Sequence, residues 1–431
     1  MSSRSFKKNR GVANDLASAS GLSALSLAFL LLLGTGVLRA FESYQLIFNA
    51  SIVFGFVYIL YEVVRSALLI RVRKIVFFPI FLLLTVILLS SISANLSLGQ
   101  PVLFGLLSLR NFFLVGVALL TYRILMSRKS VKTQVENSYK LLGFSTIAII
   151  SLTFLFFDPS EFNESSNFII RDASGENRFS FPAFFALPLL FLYFSRYNQT
   201  RKKSEIYKAS LTFAWYLIFA GGLTAMCSIV FTLAVFYIIH SKQKAFIMLP
   251  FIAGIVFYCL VFFLLIIEIG EWRLAGEIFD LYRLLFFNHE ITENFSIIAR
   301  LSQFEIARDL VSEHYVWGFG ALSNQWEGGY LGLFGYFHPS DLGIIGAVVK
   351  YGVLGVVLLL ILYFILIRSS MPIGLGNVAG MASLMTVFFL IVSSIATGDI
   401  FFRPEKILFF IFIISALKVR GEGKSHRQVI H

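Results

Sequence analysis

"HPSDLGIIGAVVKYGVLGVV", residues 338–357, passes from a histidine, a proline and an aspartate straight into an apolar run that continues to about residue 367. A run of that length forms a helix able to cross a hydrocarbon core about 30 Å thick, at about 1.5 Å per residue. Working outward, comparable runs fall near 21–38, 45–63, 75–96, 102–126, 141–157, 181–195, 209–221, 225–240, 245–267, 376–397 and 405–418. The chain of 431 residues is 58% hydrophobic and 14% charged, with 49 phenylalanines, which leaves too little polar surface for a soluble protein. In lipid only helices and closed barrels satisfy their own backbone. The expectation is an all-α polytopic membrane protein with about twelve transmembrane helices, its residues 1–431 forming a single integral-membrane domain.

The seventh and eighth runs are short and meet at Gly221-Gly222. They read as a tight helical hairpin or as one kinked helix. With the N-terminus on the cytoplasmic side, alternating loops hold 25 of the 36 Lys and Arg residues. That bias is the positive-inside rule, and it places both termini in the cytoplasm. The formal charge of +12 is then a topology signal, with some attraction to anionic lipid heads. The basic residues are divided among short loops, so a nucleic-acid surface is not expected. The basic start, "SSRSFKKNRG", leads into an apolar run that ends at "GVLRA" without a small-residue cleavage site, and reads as an uncleaved first span. Cys227 and Cys259 lie inside apolar runs and the six histidines have no metal-ligand spacing. Neither a metal nor any other cofactor is expected.

Two segments on the opposite side are long. Residues 158–180 are polar and turn-rich. Residues 268–340 form a large loop, too small and too apolar for an independent domain, and are expected to cap the bundle.

Five residues carry candidate chemistry. Arg178 stands at the outer mouth of the sixth span, before Phe181-Pro182; it reads as an interfacial arginine reaching lipid phosphates or as a binding group. In "SIIARLSQFEIARDLVSEH", residues 296–314, helical spacing groups Arg300 with Phe304, Ala307 and Val311, opposite Ser302, Glu305, Asp309 and Glu313. An arginine on an apolar stripe needs an anion, supplied by a salt bridge or by a substrate. Arg110 lies about eight residues inside the fourth span, where an arginine faces a partner or a cavity. Pro339 suits a first helical position, making His338 the N-cap and Asp341 the third helical residue. That spacing brings the two side chains together at a helix N-terminus, as ordinary capping groups or as a proton-transfer pair.

The chain resembles the bacterial O-antigen polymerase/ligase superfamily, integral-membrane enzymes that move glycans off a polyprenyl diphosphate carrier. Three patterns carry the resemblance. "RFSFPAFFALPLL" is similar to the family's arginine and proline at a span mouth. "ARLSQFEIARDLVSEHYVWGFG" is similar to its arginine-headed helix ending at a Gly-x-Gly turn, here Gly318 and Gly320. "HPSDLGIIGAVVKYGVLG" is similar to its histidine-led segment before a glycine-rich helix, here with Gly352 and Gly355. The ligases commonly have His-Asn where this chain has His338-Pro339, and Ser-Arg where it has Cys227-Ser228, which favours a polymerase.

The resemblance implies a membrane glycosyltransferase of the C type in a bacterial inner membrane, its site on the periplasmic face. The activity implied is metal-independent, inverting transfer of glycan from undecaprenyl diphosphate to a sugar hydroxyl of an acceptor repeat unit. Arg178, Arg300 and Arg110 would bind the diphosphate; His338, helped by Asp341, would be catalytic. The implied partners are the undecaprenyl-diphosphate-linked oligosaccharide, the acceptor glycan, membrane lipids and a chain-length regulator. Ligation of glycan to lipid A core or protein, and transport of a lipid-linked solute, stand as alternatives.

Overall fold

Apolar runs become helices here, but not always unbroken ones. The structure, a computed structural model, describes residues 24–40, 44–68, 74–127, 130–157, 169–171, 177–179, 183–219, 223–240 and 295–418. The expected span at 245–267, the first part of the large loop and both termini lie outside the described residues. The first helices are α1 (Ala24–Gly34), α2 (Gln45–Leu68), α3 (Lys74–Leu98), α4 (Val102–Ser108), α5 (Val115–Ser127) and α6 (Val131–Phe156). A small antiparallel hairpin follows, β1 (Ile169–Arg171) and β2 (Asn177–Phe179), with Arg178 opposite Ile170. Then come α7 (Ala186–Thr200), α8 (Lys203–Phe219), α9 (Leu223–His240), α10 (Phe295–His314) and α11 (Gly329–Phe334). The chain continues through α12 (Gly343–Leu375), α13 (Val378–Thr397), α14 (Asp399–Phe402) and α15 (Pro404–Lys418).

Among the described residues six helical stretches are long and apolar enough to cross a membrane: Gln45–Arg65, Phe78–Leu98, Arg110–Ser127, Val131–Phe156, Pro339–Leu375 and Val378–Ile395. The protein is therefore an all-helical, multi-pass membrane protein in character. Ala24–Gly34 and Ala225–Ile239 are shorter apolar helices.

Burial separates a central set of helices from a peripheral one. From Ile407 to Ile414 every residue of α15 is at most 1% exposed, so this helix is apolar all round because protein surrounds it. In α7, Leu187, Leu190 and Phe191 are equally buried. Helix α13 joins them, packing on α7, α12 and α15. By contrast α2 exposes Leu46, Val53, Val57 and Val64 along one face, as a helix does when lipid covers that face. Its other face meets α5 through paired glycines: a Cβ on Gly116 would lie 2.0 Å from the carbonyl oxygen of Gly55. Small residues replace hydrophobic driving force at such contacts. Helix α8 packs on α7, whereas α9 packs on α13, where Phe231 stacks on Phe388.

Polar contacts tie helix ends into two groups. At one end Glu62 accepts a two-pronged pair from Arg123, at 3.1 and 2.7 Å, and Arg196 pairs with Glu136 at 2.5 Å. Ser138 donates to Ala24, and the hydroxyls of Ser370 and Ser415 meet, at that same end. The opposite end gathers residues 36, 110–114, 183–185, 318–323, 338–343 and 398–406.

Three departures from the sequence reading lie at this second end. The run 102–126 is not one helix: α4 stops at Leu109, a 3-10 turn covers Arg110–Leu114, and α5 begins afresh. The break turns Phe112 inward, 6.3 Å from the ring of Tyr351. Helix α12 is also broken, at Gly352 (φ 67°, ψ 172°). Into that gap runs the extended segment after α10: a Cβ on Gly318 would lie 2.3 Å from the Gly352 nitrogen. The N–H groups of Phe319, Val353 and Leu354 bond to Val349, Tyr315 and Val316 across the gap. Ser93 donates to Gly318, Gln100 to Ala321 and Ser108 to Leu322, while Gln100 accepts from Ser323 N–H. Residues 318–323, in the described part of the large loop, are buried in the bundle. Irregular backbone survives there because protein groups satisfy it. Finally, the buried stripe of α10 runs through Gln303, Ala307 and Leu310, and Phe304 lies on the exposed side.

Candidate functional site

His338 precedes a 3-10 turn, Pro339–Leu342, and the α-helix begins only at Gly343. The expected cap is thus a cap of the turn. The His338 backbone is extended (φ −121°, ψ 102°) and its side chain caps nothing. Its N–H donates to Gln303 Oε1 at 3.0 Å, which fixes this turn to the helix that carries Arg300. The imidazole meets the ring of Tyr336 edge-on at 5.3 Å. Asp341 is exposed, with its carboxylate 3.4 Å from the Ser340 hydroxyl. The backbone N–H of Asp341 donates to the His338 carbonyl at 3.0 Å, but among the described residues no ion pair or side-chain hydrogen bond joins the imidazole to the Asp341 carboxylate.

The arginines divide. Arg110 begins the break between α4 and α5, partly buried, with no ion pair among the described residues. Arg300 lies in the first turns of α10, one turn before the Gln303 that holds His338. Arg178 lies on β2, a few residues before the 3-10 turn Ala183–Phe185. The side chains of Arg178 and Arg300 lie outside the described residues. The structure thus brings the Arg300 helix and His338 together, and puts the break at Arg110 against Tyr351 beside the Gly352 gap.

One polar group escaped the sequence reading. "GDIFFRPEK", residues 398–406, looks like an ordinary polar turn between two spans. In the fold it tucks inward. Asp399 lies 3.4 Å from Lys406 Nζ and 3.8 Å from Arg403. Lys406 is buried, its ammonium 5.3 Å from the Phe184 ring. Glu405 is buried too, and among the described residues neither its Oε2 nor the buried Tyr351 hydroxyl has a hydrogen-bond partner. A Cβ on Gly398 would lie 2.9 Å from the carbonyl of Gly343, so the group sits beside the start of α12. The available signal was a Glu-Lys pair opening a helix that is apolar on every side, where a surface turn would place its charges before the helix.

Burial pushes the Asp399 carboxyl up, but Lys406 and Arg403 outweigh it and hold the group below its ordinary value. Asp399 is therefore an anion shared by two cations.

No protein-family model matches the chain, and no curated protein matches it by sequence.

Proposed function

We propose that the protein is a polymerase of cell-surface polysaccharide, working on repeat units linked to undecaprenyl diphosphate, within a twelve-span fold of the O-antigen polymerase/ligase superfamily. The observation that carries this reading is the 3.0 Å bond from His338 N–H to Gln303. It joins the histidine-led turn to the arginine-headed helix, two of the three patterns on which the resemblance rests. In the proposed reaction the His338 imidazole takes the proton of an acceptor sugar hydroxyl. The hydroxyl oxygen attacks C1 of the donor sugar from the face opposite the diphosphate. The C1–O bond breaks, its electron pair leaves on undecaprenyl diphosphate, and the anomer inverts. Arg178, Arg300 and Arg110 hold the diphosphate, where guanidinium forks neutralise the growing charge. Asp341, exposed and separate from the imidazole, serves the helix start and orients His338 only when substrate bridges them. The site faces the periplasm.

A second reading draws on the gap at Gly352. Broken helices with inserted backbone also line solute paths in transporters, which favours a carrier of lipid-linked solutes as the alternative. The lipid-linked glycans of a deletion strain separate the readings. A polymerase leaves single repeat units on the acceptor; a ligase leaves long unattached chains; a carrier leaves units trapped on the cytoplasmic leaflet.

A further inference from the structure

Among the described residues six buried side-chain polar atoms lack a hydrogen-bond partner, and two of them, on different helices, lie at the end of the bundle that holds His338. Glu405 Oε2 belongs to the first turn of α15, in a residue 2% exposed. The Tyr351 hydroxyl belongs to α12, next to the break, in a residue 3% exposed. Tyr363, on the same helix as Tyr351, already donates to the carbonyl of Ile400, whereas the Tyr351 ring packs on Phe402, three residues before Glu405. Lys406, 9% exposed, has three N–H donors and one long contact, to Asp399. Aromatic rings surround the group: Phe112 and Phe402 flank Tyr351 at 6.3 and 6.1 Å, and Phe184 faces Lys406. Exposure rises outward, from Glu405 and Lys406 to Asp399 at 30% and Arg403 at 50%.

Burying an unpaired polar group costs free energy that a ligand bonded to it would recover. The charges limit what would satisfy both. A free anion meets the Glu405 carboxyl and a free cation meets Lys406. A neutral hydroxyl suits both groups, because it donates to a carboxylate oxygen and accepts from a phenol or an ammonium. Apolar and aromatic walls with a few placed polar groups are the usual form of a small-molecule site. We propose that Glu405, Tyr351 and Lys406 bind hydroxyl groups of a neutral sugar that enters past Asp399 and Arg403. The inference rests on the polymerase reading and adds to it the place where the acceptor glycan is gripped.

The test uses the full chain, purified in a detergent without a sugar headgroup. The probe is the host's own repeat-unit oligosaccharide, released from its lipid carrier by mild acid. Binding is measured by titration, and thermal unfolding and polymer formation are measured on the same preparations. Tyr351→Phe is the decisive variant, because it removes a hydroxyl that has no partner in the fold. It should unfold no earlier than wild type yet bind the oligosaccharide about tenfold more weakly. Glu405→Gln should weaken binding at least as much. Unchanged affinity in a folded Tyr351→Phe protein overturns the inference, as does a wild type with no saturable binding. Either result, with polymer still formed, leaves the polymerase reading standing. Binding lost in both variants, from a protein that makes no polymer, supports the sugar site and removes the polymerase.

Discussion

Asp399 is partner to two cations at once, and its ionisation has a signature in pH. Because Lys406 and Arg403 hold its folded-state value below the ordinary 3.8, its contribution to stability is present above the unfolded value. It is lost as pH falls through the folded one. Asp399→Asn should therefore lower the melting temperature at neutral pH, and the gap to wild type should close on acidification below the ordinary carboxylate range. A gap that is constant from neutral to acid pH would mean that the charge contributes nothing. A second prediction concerns Arg178 and Arg300. If they hold a diphosphate, Lys at either position is a poor substitute, because a point charge cannot reproduce a two-pronged fork. Both variants should express normally and make shortened glycan on gels; wild-type length in both would remove them from the site. The place of His338 before a helical turn was legible from Pro339, although the turn is a 3-10 turn and the histidine's backbone bond to Gln303, 35 residues earlier, was not. Glu405, Lys406 and Tyr351 were not legible, because a charge at a span boundary reads as interfacial until the fold shows that it turns inward.

Among the elements, long apolar periodicity survived translation into structure and interruptions did not. The run at 342–367 is a helix as read, yet Gly352 breaks it, and nothing in "KYGVLG" distinguishes a packing glycine from one at φ 67°. The reason lies elsewhere in the chain, in the Gly318 backbone that fills the gap. The break at Arg110–Leu114 is equally non-local, set by contacts to Ser91, Leu322 and Tyr351. Two glycines with similar φ test this account. Gly335 (φ 70°, ψ −142°) has no described atom within 4 Å of a Cβ, so Gly335→Ala should cost only the strain of a backbone that L residues rarely adopt, about 1–3 kcal/mol. A Cβ on Gly318 (φ 72°) would lie 2.3 Å from the Gly352 nitrogen. Gly318→Ala should cost clearly more, because backbone cannot move aside as a side chain can. Equal losses in denaturant unfolding would contradict an interlock between the two breaks.

At the scale of the molecule, side-chain contacts show which helix ends lie together. Glu62 with Arg123 and Glu136 with Arg196 share one end; His338, Gln303 and the Asp399–Lys406 group share the other. If the basic end is cytoplasmic, a cysteine replacing exposed Glu327, in a protein lacking Cys227 and Cys259, should react with an impermeant thiol reagent in intact cells. One replacing Lys202 should react only after the membrane is opened. Labelling of the latter in intact cells would reverse the orientation. The central claim is enzymatic, and purified protein given lipid-linked repeat units with chelator present tests it most directly. Wild type should produce a ladder of lengthening chains. His338→Asn keeps the backbone N–H that bonds Gln303 and removes a side chain that caps nothing, so it should fold as well and slow transfer by about 10²–10⁴-fold, the usual contribution of a general base. A near-normal ladder from His338→Asn, or no ladder from wild type until a divalent metal is added, would contradict the account.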